Sequence, residues 1–366
     1  MIQRIAINTG GGDAPGLNAV IQAVTFAAHN LGWEVYGIKD GFNGVLLPEE
    51  YPEDGIVQLR PEMVSSISKL GGTILGTTNR GNPMSFPVKN DSGEWITIDR
   101  TDELIQRFRD FRIDALVSVG GDGSLAIANA LSKKGFPVIG VPKTIDNDLD
   151  KTVVTFGFDS AVSFATECID RLHSTADSHK RIIVVEVMGR YAGWIALHAG
   201  VAAGANAILI PEIPFDYEKL AAQLLESEAK TKRKYSIVVV AEGAKEIGGS
   251  VSVKENIIGR LERIGGIGEQ VTEVLQSLTK KESRLVVLGH LLRGGSPTAT
   301  DRLLSLRFGA AAVRALANGH TGCMVALDPP NVNLVPLEDA VSRMKCVPVD
   351  SDSVQTAREL GILFGD

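Results

Sequence analysis

Pro142-Lys143-Thr144-Ile145-Asp146-Asn147-Asp148 sets two carboxylates at i and i+2 beside a lysine and a hydroxyl. Such a set suits proton abstraction by one acid while the other serves a metal ion. Gly120-Gly121-Asp122-Gly123-Ser124 couples a glycine turn to a further acid. Asp122 could cap a helix there; a carboxylate beside a polyphosphate is also a usual anchor for Mg²⁺, which keeps several waters and needs few protein oxygens. Thr9-Gly10-Gly11-Gly12-Asp13-Ala14-Pro15-Gly16-Leu17-Asn18 reads as a turn opening into a helix, whose bare N–H groups and positive dipole end favour an anion. It matches neither common cradle. Pro15 stands where the dinucleotide fingerprint needs its third glycine, and the Gly-Lys pair of the Walker type occurs nowhere in the chain. A plain strand-to-helix turn would use the same glycines, but two such turns in one sheet make accident a poorer explanation.

Cations gather at the strand ends of the second half. Lys180-Arg181 precedes one apolar burst and Met188-Gly189-Arg190 follows it; Arg284 precedes another, followed by His290-Leu291-Leu292-Arg293-Gly294-Gly295-Ser296-Pro297. Taken singly, Arg181 and Arg284 read as surface residues. Arg190 and Arg293 sit in tight turns, and in a chain of net charge −7 that placement fits a second phosphorylated ligand, because guanidinium forks match phosphate geometry. Glu242 follows a third burst, where it could accept hydrogen bonds from sugar hydroxyls or serve as a turn carboxylate. The stretch from Gly71-Gly72-Thr73 to Thr78-Asn79-Arg80-Gly81 adds a glycine loop ending in a cation.

Positioning these residues calls for an open α/β sheet, in which ligands bind beyond the carboxyl ends of the strands. Apolar bursts at 5–7, 33–38, 115–119, 138–141, 182–185, 207–210, 236–240 and 285–288 alternate with helical patterns at 17–31, 102–111, 124–133, 160–175, 191–203, 217–230 and 300–317. That alternation predicts a mostly parallel sheet covered on both faces. Residues 83–100 read as a hairpin or surface insertion. With 366 residues, 44% hydrophobic and 22% charged, the chain can bury a large core as one domain or two coupled ones. Negative net charge argues against non-specific binding to nucleic acid or anionic lipid, and aromatics at 5% argue against a base-stacking platform. No apolar run approaches a membrane span. Cys168, Cys323 and Cys346 match no metal-ligand spacing and are expected as free thiols in a reducing, cytoplasmic setting.

In this order the motifs from Gly11 to Asn18, Gly71 to Thr73, Gly120 to Gly123, Pro142 to Asp148, Met188 to Arg190 and Leu288 to Pro297 resemble the 6-phosphofructokinase family over nearly the whole chain. The Gly-Gly-Asp-Gly turn alone is less specific, since it is also similar to NAD kinases and lipid kinases. The resemblance implies two interleaved Rossmann-like α/β/α sandwiches: a phosphoryl-donor domain of 1–157 and 291–342, and a fructose-6-phosphate domain of 158–290 and 343–366. It implies a glycolytic kinase passing the phosphoryl group of MgATP to the 1-hydroxyl of fructose 6-phosphate. Gly12 and Arg80 would meet the transferring group, with Gly121, Asp122, Gly123 and Ser124 binding the nucleotide. Mg²⁺ would be held by Asp122 and Asp148. Asp146 would be the base, with Thr144, Arg190 and Lys143 also at the chemistry. Ile145, Met188, Gly189, Glu242 and Arg293 would hold the sugar, and Arg181, Arg284 and His290 its 6-phosphate. Family members take Arg181 and Arg284 from the neighbouring subunit, so a homodimer or homotetramer with shared sites is implied.

Pyrophosphate users resemble one another in carrying a second Asp where this chain has Gly123, together with a lysine at the position of Lys143. Gly123 leaves the path of a nucleotide α-phosphate open; Lys143 points the other way. The pair is similar to ATP-dependent members of the mixed-substrate branch, which makes ATP the expected donor. Phe42 is a candidate adenine-facing aromatic or a core residue. Gln22 and Phe26 stand where allosteric bacterial members have arginines. A pyrophosphate-dependent kinase and a non-catalytic sugar-phosphate-binding regulatory subunit are the alternatives; the full set of Asp122, Asp146, Asp148 and Arg190 argues against the latter, because a binder needs no base.

Overall fold

In a computed structural model of the chain, residues 2–249, 253–255 and 263–366 are described. They divide into two compact units through which the chain weaves: 1–144, 149–157 and 293–344 in the first, 145–148, 158–292 and 345–366 in the second.

The first unit begins with strands β1 (Arg4–Thr9), β2 (Glu34–Ile38), β3 (Ile56–Leu59), β4 (Phe86–Lys89), β5 (Trp95–Ile98), β6 (Ala115–Gly120) and β7 (Val138–Pro142). Between them lie helices α1 (Leu17–His29), α2 (Asn43–Leu46), α3 (Pro61–Val64), α4 (Thr101–Asp110) and α5 (Asp122–Lys133). The second unit contributes α6 (Phe158–His179), β8 (Ile182–Val187), α7 (Trp194–Ala202), β9 (Ala207–Leu209), α8 (Tyr217–Thr231), β10 (Ser236–Ala241), β11 (Val253–Glu255), β12 (Arg263–Ile264), α9 (Ile267–Thr279) and β13 (Ser283–Val287). The chain then returns to the first unit with α10 (Ala299–Ala317), β14 (Cys323–Asp328) and β15 (Asn331–Pro336).

The seven-stranded sheet of the first unit runs β15-β14-β7-β6-β1-β2-β3. Its interior pairs are parallel, and the antiparallel strands β3 and β15 close its two edges. Side-chain alternation sorts the core. Ile5, Ile7, Val117 and Val119 face Leu17, Val20, Val24 and Phe308, whereas Ala6, Leu116 and Val138 face Leu104, Phe108, Leu125 and Leu131. A sheet buried on both faces explains why its central strands read as unbroken apolar bursts. In the second unit the all-parallel sheet β13-β8-β10-β9 packs Val184, Val238 and Val240 against Leu220, Leu224, Val271 and Leu275.

The expected bursts all form strands, and β4 with β5 makes the hairpin expected within 83–100. Strands β3, β14 and β15 and helix α9 were not anticipated. Helix α6 runs Phe158–His179, longer than the 160–175 pattern. Phe42 is 4% exposed among the apolar side chains of the first unit, which settles it as a core residue and not an adenine-facing one. The three cysteines are free thiols, and no described helix is long and apolar enough to cross a membrane.

Candidate active site

In the first unit the glycine run after β1 is strapped to its neighbours. The N–H of Gly10 donates to Val119 O at 2.9 Å and that of Gly11 to Thr78 O at 3.2 Å. Thr77 Oγ1 donates to Gly11 O at 2.5 Å. The run therefore offers fewer bare N–H groups than its composition suggests, because its first two glycines spend theirs on backbone carbonyls. Gly12 and Asp13 are instead covered by cations. Buried Lys143 donates Nζ to Gly12 O, and Arg293 Nη1 donates to Asp13 O at 3.0 Å. Asn18, at the start of α1, grips the next loop by donating Nδ2 to Leu70 O and Gly71 O and accepting from the Ile74 N–H. Gly71 is glycine for a packing reason: a Cβ there would lie 2.2 Å from Gly295 O. The same loop leaves Arg80 exposed.

Beyond β6, Gly121 is the N-cap of α5 and Asp122 its first residue, exposed, with Ser124 buried against Gly10 and Gly120. Gly123 differs from these glycines, since a Cβ there would meet nothing within 4 Å. Protein packing does not require this glycine. The exposed Asp122 carboxylate stands at the N-terminus of α5, where its oxygens are open to solvent and available as hard donors. Among the described residues no three or more His, Cys, Asp or Glu side chains gather as a metal cage.

After β7 the chain passes between units at Thr144 and Ile145. Thr144 is buried, and its carbonyl accepts from Thr155 Oγ1 at 2.7 Å. Asp146 and Asp148 are half-buried, flanking a buried Asn147 with φ of 51°. Asparagine is among the few non-glycine residues that tolerate this left-handed conformation, which turns successive side chains apart.

In the second unit, Met188-Gly189-Arg190 leaves β8 and Glu242-Gly243 leaves β10 at the same sheet end, and the two loops touch. Gly243 N–H donates to Gly189 O at 3.1 Å, and a Cβ at Gly243 would lie 1.9 Å from Arg190 O. This close approach places Met188, Arg190 and Glu242 side by side. His290 follows β13 at that end, exposed. Arg181 and Arg284 do not join them. They stand at the amino ends of β8 and β13, across a six-residue strand that spans about 20 Å. There both pair with Glu282, Arg181 Nε at 2.6 Å, and the Arg181 hydrogen bond holds the Glu282 carboxyl below its usual range. Sequence reasoning passed over Lys345 and Glu212, which stand beside these loops but lie in no glycine turn or motif.

In the first unit, a mostly parallel α/β sheet with glycine turns and a buried lysine at its carboxyl ends is the arrangement of a phosphate-handling protein of the doubly wound class. The sequence profile described as phosphofructokinase matches residues 4–316. The chain is 51% identical over 365 residues to the ATP-dependent 6-phosphofructokinase of Chloroflexus aurantiacus, covering 100% of this chain and 98% of that protein. It is 45% identical over 352 residues to the pyrophosphate–fructose 6-phosphate 1-phosphotransferase of Amycolatopsis mediterranei, covering 95% and 97%. Among solved structures, phosphofructokinase from Pichia pastoris in the T-state superposes with a TM-score of 0.79 at 31% identity over 93% of this chain; the chain spans 36% of that longer subunit. The protein belongs to the phosphofructokinase family.

Proposed function

We propose that the protein transfers the terminal phosphoryl group of MgATP to the 1-hydroxyl of fructose 6-phosphate, giving fructose 1,6-bisphosphate and ADP. The family membership supports the reaction, and the name of the Chloroflexus relative supports the donor. The observation that carries the donor reading is the open space at Gly123, since an ATP user needs room there for the α-phosphate. Lys143 and the Amycolatopsis relative favour pyrophosphate as a second donor reading. Buried Lys143 is, however, held on the Gly12 carbonyl, where its charge serves a donor phosphate of either kind.

In this reading the first unit holds the donor through Gly12, Arg80, Gly121, Asp122, Gly123 and Ser124. The second holds the sugar phosphate through Ile145, Met188, Gly189, Arg190, Glu242 and His290. Arg293 braces Asp13 and completes the cationic lining near Gly12. Asp146 accepts the 1-hydroxyl proton as the oxygen attacks the γ-phosphorus; the new O–P bond forms while the bond to the β,γ-bridging oxygen breaks, and ADP leaves. Thr144, Lys143 and Arg190 stabilise charge on the transferring oxygens, which is where most of the catalysis of such reactions resides. Asp122, with Asp148 in support, would hold Mg²⁺, which would supply charge neutralisation to the donor phosphates. Arg181 and Arg284, at the far sheet end, bind the 6-phosphate of a second copy's substrate, so the working form is a homodimer or larger.

Asp146→Asn tests the assignment. Loss of a general base lowers kcat by about 10²–10⁴-fold, and the KM for fructose 6-phosphate stays within about threefold because the sugar is held by other residues. Bisphosphate formation at near-parental rate by this variant would remove Asp146 from the mechanism.

A further inference from the structure

The loop that carries Asp146 is gripped from a distant part of the sequence. Lys345 donates its backbone N–H to Asp148 O at 2.8 Å and its Nζ to Asn147 Oδ1 at 3.0 Å, so one residue fixes both positions that follow the base. Lys345 is itself held. Its carbonyl accepts from Trp194 Nε1 at 3.0 Å, and its ammonium lies 5.5 Å from the centre of the Trp194 ring. Trp194 opens α7 directly after the loop bearing Met188 and Arg190. Glu212 closes the arrangement, accepting from the Gly193 N–H at 3.0 Å and the Val347 N–H at 2.8 Å. Residues 345–347 thus form a strap that ties the 145–148 loop to the 188–193 loop, all within the second unit.

We propose that Lys345 is a positioning residue for phosphoryl transfer: acting through Asn147 and Asp148, it aims the Asp146 carboxylate at the acceptor hydroxyl. The inference rests on the reading of Asp146 as base. Asn147 in a left-handed conformation needs external support, because that region is only marginally favourable for a side-chain-bearing residue. The Lys345 ammonium gives that support as a charge-assisted hydrogen bond, and its stem is immobilised over an aromatic face. An aim lost by roughly an ångström costs about 100-fold in rate while leaving binding contacts elsewhere intact.

The test uses the full-length protein and five variants. Lys345→Met keeps the stem over Trp194 and deletes the charge. It is expected to lower kcat about 30- to 100-fold with the fructose 6-phosphate KM within about threefold. Lys345→Arg, which retains a cationic donor, should recover at least about tenfold of that loss. The double variant Asp146→Asn with Lys345→Met should turn over within about twofold of Asp146→Asn alone, because a group that acts only through the base has nothing left to aim. A folded Lys345→Met with kcat within threefold of the parent overturns the proposal, as does a double variant slowed by the full factor of the single one. Should Lys345→Met fail to fold, Trp194→Phe deletes the bond to the Lys345 carbonyl and leaves a smaller aromatic face beside the ammonium. It should lower kcat about three- to tenfold on the same logic, and an unchanged kcat overturns the proposal. An unimpaired Asp146→Asn sinks the base reading itself; an impaired Asp146→Asn beside an unimpaired Lys345→Met sinks this inference alone.

Discussion

Gly123→Asp separates a structural from a ligand-based reason for a glycine at the start of α5. A Cβ at this position meets nothing within 4 Å, so the substitution introduces no clash. Removing a glycine from a helix gains about 0.5–1 kcal/mol, and a carboxylate in the first turn a further 0.3–1 kcal/mol or so, offset by repulsion from neighbouring Asp122. The fold should therefore be unchanged or up to about 1 kcal/mol more stable, a rise in Tm of no more than roughly 3 °C. Activity should move oppositely. If the α-phosphate of ATP passes over this turn, the new carboxylate blocks it by bulk and like charge, and kcat/KM for ATP falls at least about 100-fold, equivalent to about 2.7 kcal/mol of lost transition-state binding. Thermal melts and steady-state kinetics with varied ATP at saturating fructose 6-phosphate measure both quantities on one preparation. ATP kinetics within about threefold of the parent would refute the donor geometry, and a melt lowered by more than about 5 °C would refute the reading of open space.

Two further outcomes follow from the second unit. Burial and the charge of Lys345 hold the His198 imidazole below its ordinary value of 6.5. The unfolded chain thus takes up a proton first, and His198 makes stability fall as pH drops below 6.5. Glu212, raised by burial, contributes the opposite slope, losing stability as pH rises through its window above 4.5. The informative measurement is therefore the difference between the parent and His198→Gln in denaturant midpoint from pH 7.5 to 5: the variant should lose less stability on acidification, and parallel curves would contradict the assignment. For the shared site, Asp146→Asn and Arg181→Ala should each be nearly inactive. Co-refolded one to one they should regain about a quarter of parental activity, because half the dimers are hybrids with one intact site of two; two inactive variants with no recovery would contradict a site shared between subunits, and a fully active Arg181→Ala would place Arg181 outside any substrate site.

Much of this was legible in the sequence because parallel strands buried on both faces must be apolar throughout, and the turns that follow them carry the chemistry. Asp122, Asp146, Arg190 and Glu242 lie at strand ends for that reason, and the contact between the 189–190 and 242–243 loops follows from β8 and β10 being neighbours. Other features were hidden. The edge strands β3 and β15 face solvent on one side and lack an unbroken apolar pattern. Phe42 in a loop between glycines looked available to a ligand, yet the hydrophobic gain of burying an aromatic ring took it into the core. The bare N–H groups expected of Gly10 and Gly11 are used by Val119 and Thr78, partners that no local pattern specifies. Lys345 was invisible for the same reason: its partners at 147, 148 and 194 are distant in sequence and meet it only in the folded unit.

The most direct measurement is a ³¹P NMR time course of the purified protein with fructose 6-phosphate and Mg²⁺, run once with ATP and once with pyrophosphate. The account predicts fructose 1,6-bisphosphate accumulating with ADP in the first sample and little change in the second. Bisphosphate formed only from pyrophosphate, or from neither donor, would contradict it.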